Sequence, residues 1–362
     1  MTRIASLVVT LAALASAASA QSNIRNARIE TRPAGDLAAT FKSLSSEAGP
    51  LWIGYSVAAQ NPEWNACCYG SGRDGMNCCG RCLLDGGRAG GGEPVSRDGA
   101  RGPVHLEGAS QVVVLFRVEN REVQRIRTFS ESCELDADGQ TVSWLTDVAM
   151  PASIDLLQRF ATRPDRDGEK HDRLADGAIM AIAAHQAAAA DRALAALIAA
   201  DKPIATRKQA AFWAANARGR AGFELVRTAV LDASSPEAFR KHAVFALTQS
   251  REPEAVDTLT RIAKSDADPD VRGEAIFWLA QKAGRKAAAA ITDAIENDPE
   301  TKVKERAVFA LGQLPKDEGV PKLIEVARTN RNPAVRKQAM FWLGQSRDPR
   351  ALAFFEEVLA RP

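Results

Sequence analysis

Five phenylalanines, Phe212, Phe245, Phe277, Phe309 and Phe341, are spaced 33, 32, 32 and 32 residues apart. No other feature constrains the fold as much. A fixed period of about 20–50 residues means one supersecondary unit repeated in series, each unit covering its neighbour's apolar face. Other positions keep their offsets around each Phe. Five residues before it stands Arg207, Arg240, Arg272, Lys304 or Arg336, and two before it Ala210, Ala243, Ala275, Ala307 or Ala339. Two after it comes Ala214, Leu247, Leu279, Leu311 or Leu343, and four after it Asn216, Gln249, Gln281, Gln313 or Gln345. A degenerate sixth copy is expected ahead of these, with Met180 in the Phe position and His185 near its end.

Each unit holds a second helix before the Phe helix, for example Glu254 to Lys264 and Pro321 to Arg328. The turns carry Ser235-Pro236, Asp268-Pro269, Asp298-Pro299 and Asn332-Pro333. Two helices joined by a polar turn make an α-hairpin, and stacked hairpins make a solenoid. At about 100° per residue, the apolar positions six before, two before and two after the Phe share one side of the helix. The Phe lies opposite, flanked by Lys208, Lys241, Gly273, Glu305 or Lys337 four residues earlier and by the Gln row four residues later. Trp213, Trp278 and Trp342 follow three of the five Phe, alternating with Ala246 and Ala310.

The run Val271-Arg272-Gly273-Glu274-Ala275-Ile276-Phe277-Trp278-Leu279 resembles the second helix of a HEAT repeat, of the short class also seen in phycobilin lyases. The resemblance covers about residues 174–360 and implies an α-solenoid whose second helices line a concave surface. It also implies a ladder joining a turn residue to the base six positions on: Asp201 with Arg207, Ser234 with Arg240, Asp266 with Arg272, Asp298 with Lys304, Asn330 with Arg336. HEAT families commonly keep the Phe site polar, so a Phe in all five repeats is a departure. It leads to the expectation of a groove in which Phe212, Phe245, Phe277, Phe309 and Phe341 give contact area and Gln249, Gln281, Gln313 and Gln345 give hydrogen bonds to a protein, peptide or extended polymer. Two alternatives stand beside it: the rings cover one another along the stack, or the amino-terminal domain docks on them.

The amino-terminal half reads differently. Met1 to Ala20 is expected to be a removable export signal, with Arg3, an apolar run from Ile4 to Ala17, and the small-x-small sequence Ala18-Ser19-Ala20. Residues 21–162 are expected to form a small β-containing domain rich in cysteine, residues 163–173 a charged linker, and residues 174–362 the solenoid, so the fold class is α+β overall. Candidate strands are Leu51 to Val57, Val112 to Val118, Val123 to Phe129 and Thr141 to Leu145, and Asp36 can cap an early helix through Leu37, Phe41 and Leu44. Ser153 is expected to cap a further short helix. Export to an oxidising compartment, periplasmic or extracellular, favours disulfides among Cys67, Cys68, Cys78, Cys79, Cys82 and Cys133. Six cysteines allow about 15 pairings, and Cys79-x2-Cys82 also has the spacing of a thiolate metal site.

Hydrophobic residues at 46% and charged residues at 25% are ordinary for a globular protein and argue against a wholly disordered chain and a multi-span membrane protein. A net charge of +2 argues against a nucleic-acid partner. The four histidines, His105, His171, His185 and His242, sit in no metal or nucleophile motif, so no catalytic residue, metal or cofactor is assigned. The expectation is therefore an exported, non-catalytic scaffold with a protein or peptide partner. The rival is an enzyme or a redox or metal protein centred on the cysteine array.

Overall fold

The structure is a computed structural model that describes residues 23–62, 66–67, 82–85, 110–162 and 173–360. The expected export signal, Cys68, Cys78, Cys79, His105, His171 and residues 163–172 of the expected linker lie outside the described residues. The chain divides into two compact units, Met1–Ala199 and Ala200–Pro362.

The first unit is built on a five-stranded mixed sheet and a three-stranded one, formed by β1 (Ile24–Arg25), β2 (Arg28–Pro33), β3 (Leu51–Ala58), β4 (Cys82–Leu83), β5 (Gln111–Glu119), β6 (Glu122–Ser130), β7 (Leu135–Asp136) and β8 (Thr141–Thr146). The strand order is β2-β8-β3-β5-β6, with β1-β7-β4 forming a separate small sheet. β8 pairs in parallel with β2 and β3, whereas β3, β5 and β6 are antiparallel. Asn120 and Arg121 both have positive φ, the geometry of a tight two-residue hairpin turn between β5 and β6. All four strands expected from β-former texture are present.

Alternation along β3 and β5 sends side chains to two faces, and both are covered. Trp52, Val113, Leu115, Val142 and Trp144 pack with Ile24, Leu84 and Leu135 of the small sheet region. On the other face Phe116 meets Phe41 of α1 (Leu37–Ser45) and Phe160 of α2 (Met150–Ala161), with ring centroids 4.8 and 5.9 Å away. Asp36 caps α1 by accepting from the Ala38 and Ala39 amides, as its position predicts. Ser153 does not cap α2; that helix starts three residues earlier, and Ser153 is fully buried within it. A disulfide joins Cys67 to Cys133, and Cys82 is also disulfide-bonded. Engagement in a disulfide removes Cys82 from the alternative of a thiolate metal site.

Two helices expected at the start of the solenoid, α3 (Arg173–Ala184) and α4 (Ala188–Ile198), lie within this first unit. The packing of α3 shows why. It lies on β6 so closely that a Cβ added at Gly177 would stand 2.4 Å from the Ile126 carbonyl oxygen. Backbone also joins the segments, since the Gln60 and Gln186 amides donate to the Ala184 and Ala58 carbonyls. Met180, placed in the Phe position of a sixth copy, is buried here.

The second unit runs α5 (Ile204–Ala217), α6 (Gly219–Leu231), α7 (Glu237–Gln249), α8 (Glu254–Ser265), α9 (Pro269–Ala283), α10 (Ala288–Asn297), α11 (Thr301–Gly312), α12 (Lys316–Thr329), α13 (Pro333–Ser346) and α14 (Pro349–Ala360). The Phe helices α5, α7, α9, α11 and α13 pack each against the next, and each also packs on the helix that precedes or follows it in a hairpin. Asp268 and Asn332 cap α9 and α13 with Pro at the first helical position, where its missing N–H is not needed. The Ala row and the row two residues after the Phe are buried in all five helices.

A small residue, Gly222, Ala255, Ala287, Gly319 or Ala351, recurs ten positions after each Phe and is buried. Any Cβ at Gly222 would fall 1.9 Å from the Ala214 carbonyl oxygen, and one at Gly319 would fall 2.5 Å from that of Leu311. The following helix therefore crosses at its closest on this position, and glycine is required at two of the five crossings.

Candidate binding face of the repeat array

The Phe helices carry two ladders, one in the turns and one on the open face. In the turn ladder the pairing differs from the expectation. Arg272 grips Asp298 through two parallel hydrogen bonds of 2.7 and 2.9 Å, and Arg240 is paired with Asp266. Each base thus reaches the acid of the next repeat, 26 residues ahead, and not the acid six residues behind. Toward its own turn Arg272 donates to the Asp266 and Ala267 carbonyls, and Arg336 donates likewise to those of Asn330 and Arg331. Arg207 donates to Ser235 and lies 3.9 Å from the centre of the Phe239 ring. Lys304 donates to the Glu296 carbonyl, Asp201 is bound by Lys202, and Ser234 bonds Asp232. The register is shifted because the guanidinium is long enough to cross to the neighbouring hairpin, where a buried carboxylate needs a cation. The Asp298 bond raises the Arg272 pKa further. This ladder welds repeats together and leaves no row of free anion-binding arginines.

The open face holds the aromatics. Phe212 stacks on Phe245 with centroids 5.9 Å apart and planes 17° apart, and Phe277 stacks on Phe309 at 5.7 Å and 6°. Between these pairs Trp278 bridges Phe245 and Phe277 at 4.8 and 4.9 Å, and Trp342 bridges Phe309 and Phe341 at 4.8 and 5.1 Å. Trp213 lies 5.1 Å from Phe212 and adds an eighth ring. The result is one continuous row across five helices. Stacked rings turn their faces to each other, so four of the Phe are half-buried, while Phe341 at the end is 53% exposed. The rings shield one another's faces, as the alternative of mutual covering along the stack expects, and present edges. Alternation of Phe-Trp with Phe-Ala is the sequence signal for the bridging, because a Trp can span only where the preceding repeat leaves Ala.

Polar neighbours line both flanks of the row. Gln281, Gln313 and Gln345 are exposed and Gln249 is half-buried. On the other flank stand Lys208, Lys241 and Lys337, and in the third repeat Gly273, where the Arg306 side chain lies 2.5 Å from the position of a Cβ. His242 lies edge-on to Phe245 at 5.6 Å, and burial, then the Lys208 charge, holds its pKa below the ordinary value. Lys282 closes the carboxyl end of α7 by donating to the Thr248 and Ser250 carbonyls at 2.8 Å, and burial lowers its pKa.

The first unit contains a hydrogen-bonded chain that sequence reasoning missed. Tyr55 meets the Ser153 hydroxyl at 2.6 Å, and Ser153 meets His185 Nε2 at 2.8 Å. His185 Nδ1 lies 2.7 Å from the Ala181 carbonyl, which can only accept, so Nδ1 carries the proton. In neutral His185, Nε2 then accepts from Ser153, and Ser153 accepts from Tyr55. A serine bonded to a histidine is the pattern of an activated nucleophile. Here all three side chains are fully buried, and the chain ties α2 and α3 to the sheet. Burial raises the Tyr55 pKa above its ordinary value. Among the described residues no group of three His, Cys, Asp or Glu could hold a metal ion, and no helix is long and apolar enough to cross a membrane.

A row of antiparallel hairpins, each covering the next and cross-linked through its turns, defines the second unit as an α-solenoid. Its repeats are HEAT repeats: the family model matches residues 190–280, 224–301 and 288–362, and this part of the chain belongs to that class. Among solved structures, human deoxyhypusine hydroxylase in complex with glycerol is similar at 15% identity, with 59% of this chain and 91% of that one covered and a TM-score of 0.31. The complex of CpcE and CpcF of phycocyanin lyase from Nostoc sp. PCC7120 is similar at 22% identity, with 43% of this chain and 99% of that one covered and a TM-score of 0.32. No curated protein matches the chain.

Proposed function

We propose that this protein is an exported, non-catalytic scaffold that holds a protein or peptide partner on the aromatic row of its HEAT repeats. The observation that carries the reading is the continuity of that row. Eight rings are held in register across five helices, with exposed edges and an open end at Phe341. Aromatic rings fixed by packing lose little entropy on binding, and interfaces are enriched in them. HEAT solenoids are suited to the role, since their stacked second helices offer an extended concave surface to an extended partner. Export is supported by the leader-like first 20 residues and by a disulfide-stapled first unit.

The test is a benzophenone side chain introduced at Phe341 in the full-length protein, irradiated in its native envelope fraction. The reading expects one protein to be cross-linked from this position, and expects the product to fade when Trp278 and Phe309 are replaced by Leu. No protein cross-linked from Phe341, while one is cross-linked from a benzophenone placed at an exposed site of the first unit, such as Glu122, would overturn it.

A further inference from the structure

The geometry of the row points to the chemistry of its occupant: an acidic peptide segment in extended, strand-like conformation, two residues to each repeat. The inference rests on the proposed binding role of the face and goes further by naming what lies in it. Three observations carry it.

Spacing comes first. Six centroid separations of 4.8–5.9 Å lead from Phe212 to Phe341 in four repeat steps, which limits the average step to about 8 Å, and to about 7 Å between Phe212 and Phe309. Two residues of an extended strand advance about 6.8 Å and return the side chain to the same face. Three residues of polyproline II advance about 9.3 Å, beyond the limit. A strand's advance falls within that limit, and the two stacked Phe pairs stand 5.9 and 5.7 Å apart, so a strand can present every second side chain to the rings.

Flank chemistry comes second. In a strand the N–H and C=O of one residue point to one side and those of the next residue to the other. On one side they meet Gln249, Gln281, Gln313 and Gln345, whose amide both donates and accepts, as a peptide group requires.

Charge comes third. Ring edges are electropositive, and Lys208 and Lys337 add formal charge along the opposite flank, where Lys241 is paired with Glu237 at 3.5 Å and Arg306 with Asp270 at 3.7 Å. The carboxylates nearby are largely engaged: Asp270 by Lys302 at 2.8 Å, Glu237 by Lys241 at 3.5 Å, and Glu274 by the Trp278 indole at 2.7 Å. Glu305 stands on the same flank in α11. Among the described residues Lys208 and Lys337 form no ion pair. Carboxylates on the outward side chains of the strand complete them.

The experiment titrates full-length protein with fluorescein-labelled ten-residue peptides, one dipeptide per rung. The probes are alternating Val-Glu, alternating Val-Lys, and a Gly-Ser-Glu peptide of equal negative charge. The inference expects Val-Glu to bind at least tenfold tighter than either other peptide, and expects Lys337→Glu with Lys208→Glu to weaken it at least tenfold. Equal binding of Val-Glu and Val-Lys, or of Val-Glu and Gly-Ser-Glu, overturns it with no variant required. Failure of Val-Glu to bind, together with a partner still cross-linked from Phe341, overturns the strand assignment and leaves the binding role standing. Loss of the cross-link as well overturns both.

Discussion

Replacing Arg272 by Met tests whether the turn ladder couples neighbouring hairpins. The Arg272 and Asp298 side chains are 8% and 5% exposed, and the pair makes two hydrogen bonds below 3 Å. Removing one partner of such a pair strands a buried charge, at a cost of about 3–5 kcal/mol. Two carbonyls of the preceding turn lose their donor as well. Asp298→Asn keeps the bond from the Glu300 amide and removes only the charge. The double variant carries no unpaired charge, so its loss should fall short of the sum of the singles by about 1–3 kcal/mol. Lys304→Met, at the equivalent base of the next repeat, gives up one bond to a backbone carbonyl near the surface and should cost under about 1 kcal/mol. The assay is urea unfolding followed by far-UV circular dichroism. An interface weakened this far should also split the transition, since solenoid stability is a sum of repeat and interface contributions. Arg272→Met costing no more than Lys304→Met, or singles that simply add, would refute the reasoning.

Three further outcomes follow from the packing. Ser153→Ala removes the hydroxyl that bonds both the Tyr55 hydroxyl and His185 Nε2, and should cost about 2–4 kcal/mol in urea unfolding; Tyr55→Phe, which removes one of the two bonds, should cost about half as much. Gly177→Ala sets a methyl against the Ile126 carbonyl and should destabilise by more than about 2 kcal/mol, whereas Gly344→Ala meets nothing within 4 Å and should stabilise α13 by up to about 1 kcal/mol, both read by thermal melts. Asp348 has its pKa lowered from 3.8 to about 2, first by the Arg350 side chain. Because the folded value is the lower one, the ionised form favours the fold above pH 3.8, and that contribution disappears as pH falls toward about 2. Asp348→Asn should flatten the acid limb of a stability–pH profile over that window.

The solenoid was legible because its contacts repeat. A residue buried in one hairpin is buried in the next, so Ala210, Ala243, Ala275, Ala307 and Ala339 announce the core by offset alone. Pairing across repeats was not legible. Asp266 is as close in sequence to Arg272 as an ion pair needs, yet its carboxylate serves Arg240 and gives Arg272 only its backbone carbonyl. Choosing between the two requires the distance between stacked helices, which no offset encodes. Helices α3 and α4 share the Ala-rich texture of the repeats, and the absence of a side chain at Gly177 is what lets α3 lie on β6. The strands β5 and β6 were visible as β-former runs, whereas the pairing of β8 between β2 and β3 depends on contacts more than 80 residues apart in sequence. At the candidate site the five Phe were visible as landmarks, but their mutual stacking depends on rotamers and on the bridging Trp.

The most direct measurement of the central claim uses protein in which every Trp is 5-fluorotryptophan, followed by fluorine NMR as the alternating Val-Glu peptide is added. Trp213, Trp278 and Trp342 belong to the aromatic row, and Trp52 and Trp144 are fully buried in the first unit. The account predicts that the three resonances of the row move together with one saturation curve while those of Trp52 and Trp144 stay in place. Saturable binding that leaves all three row resonances unmoved would contradict it.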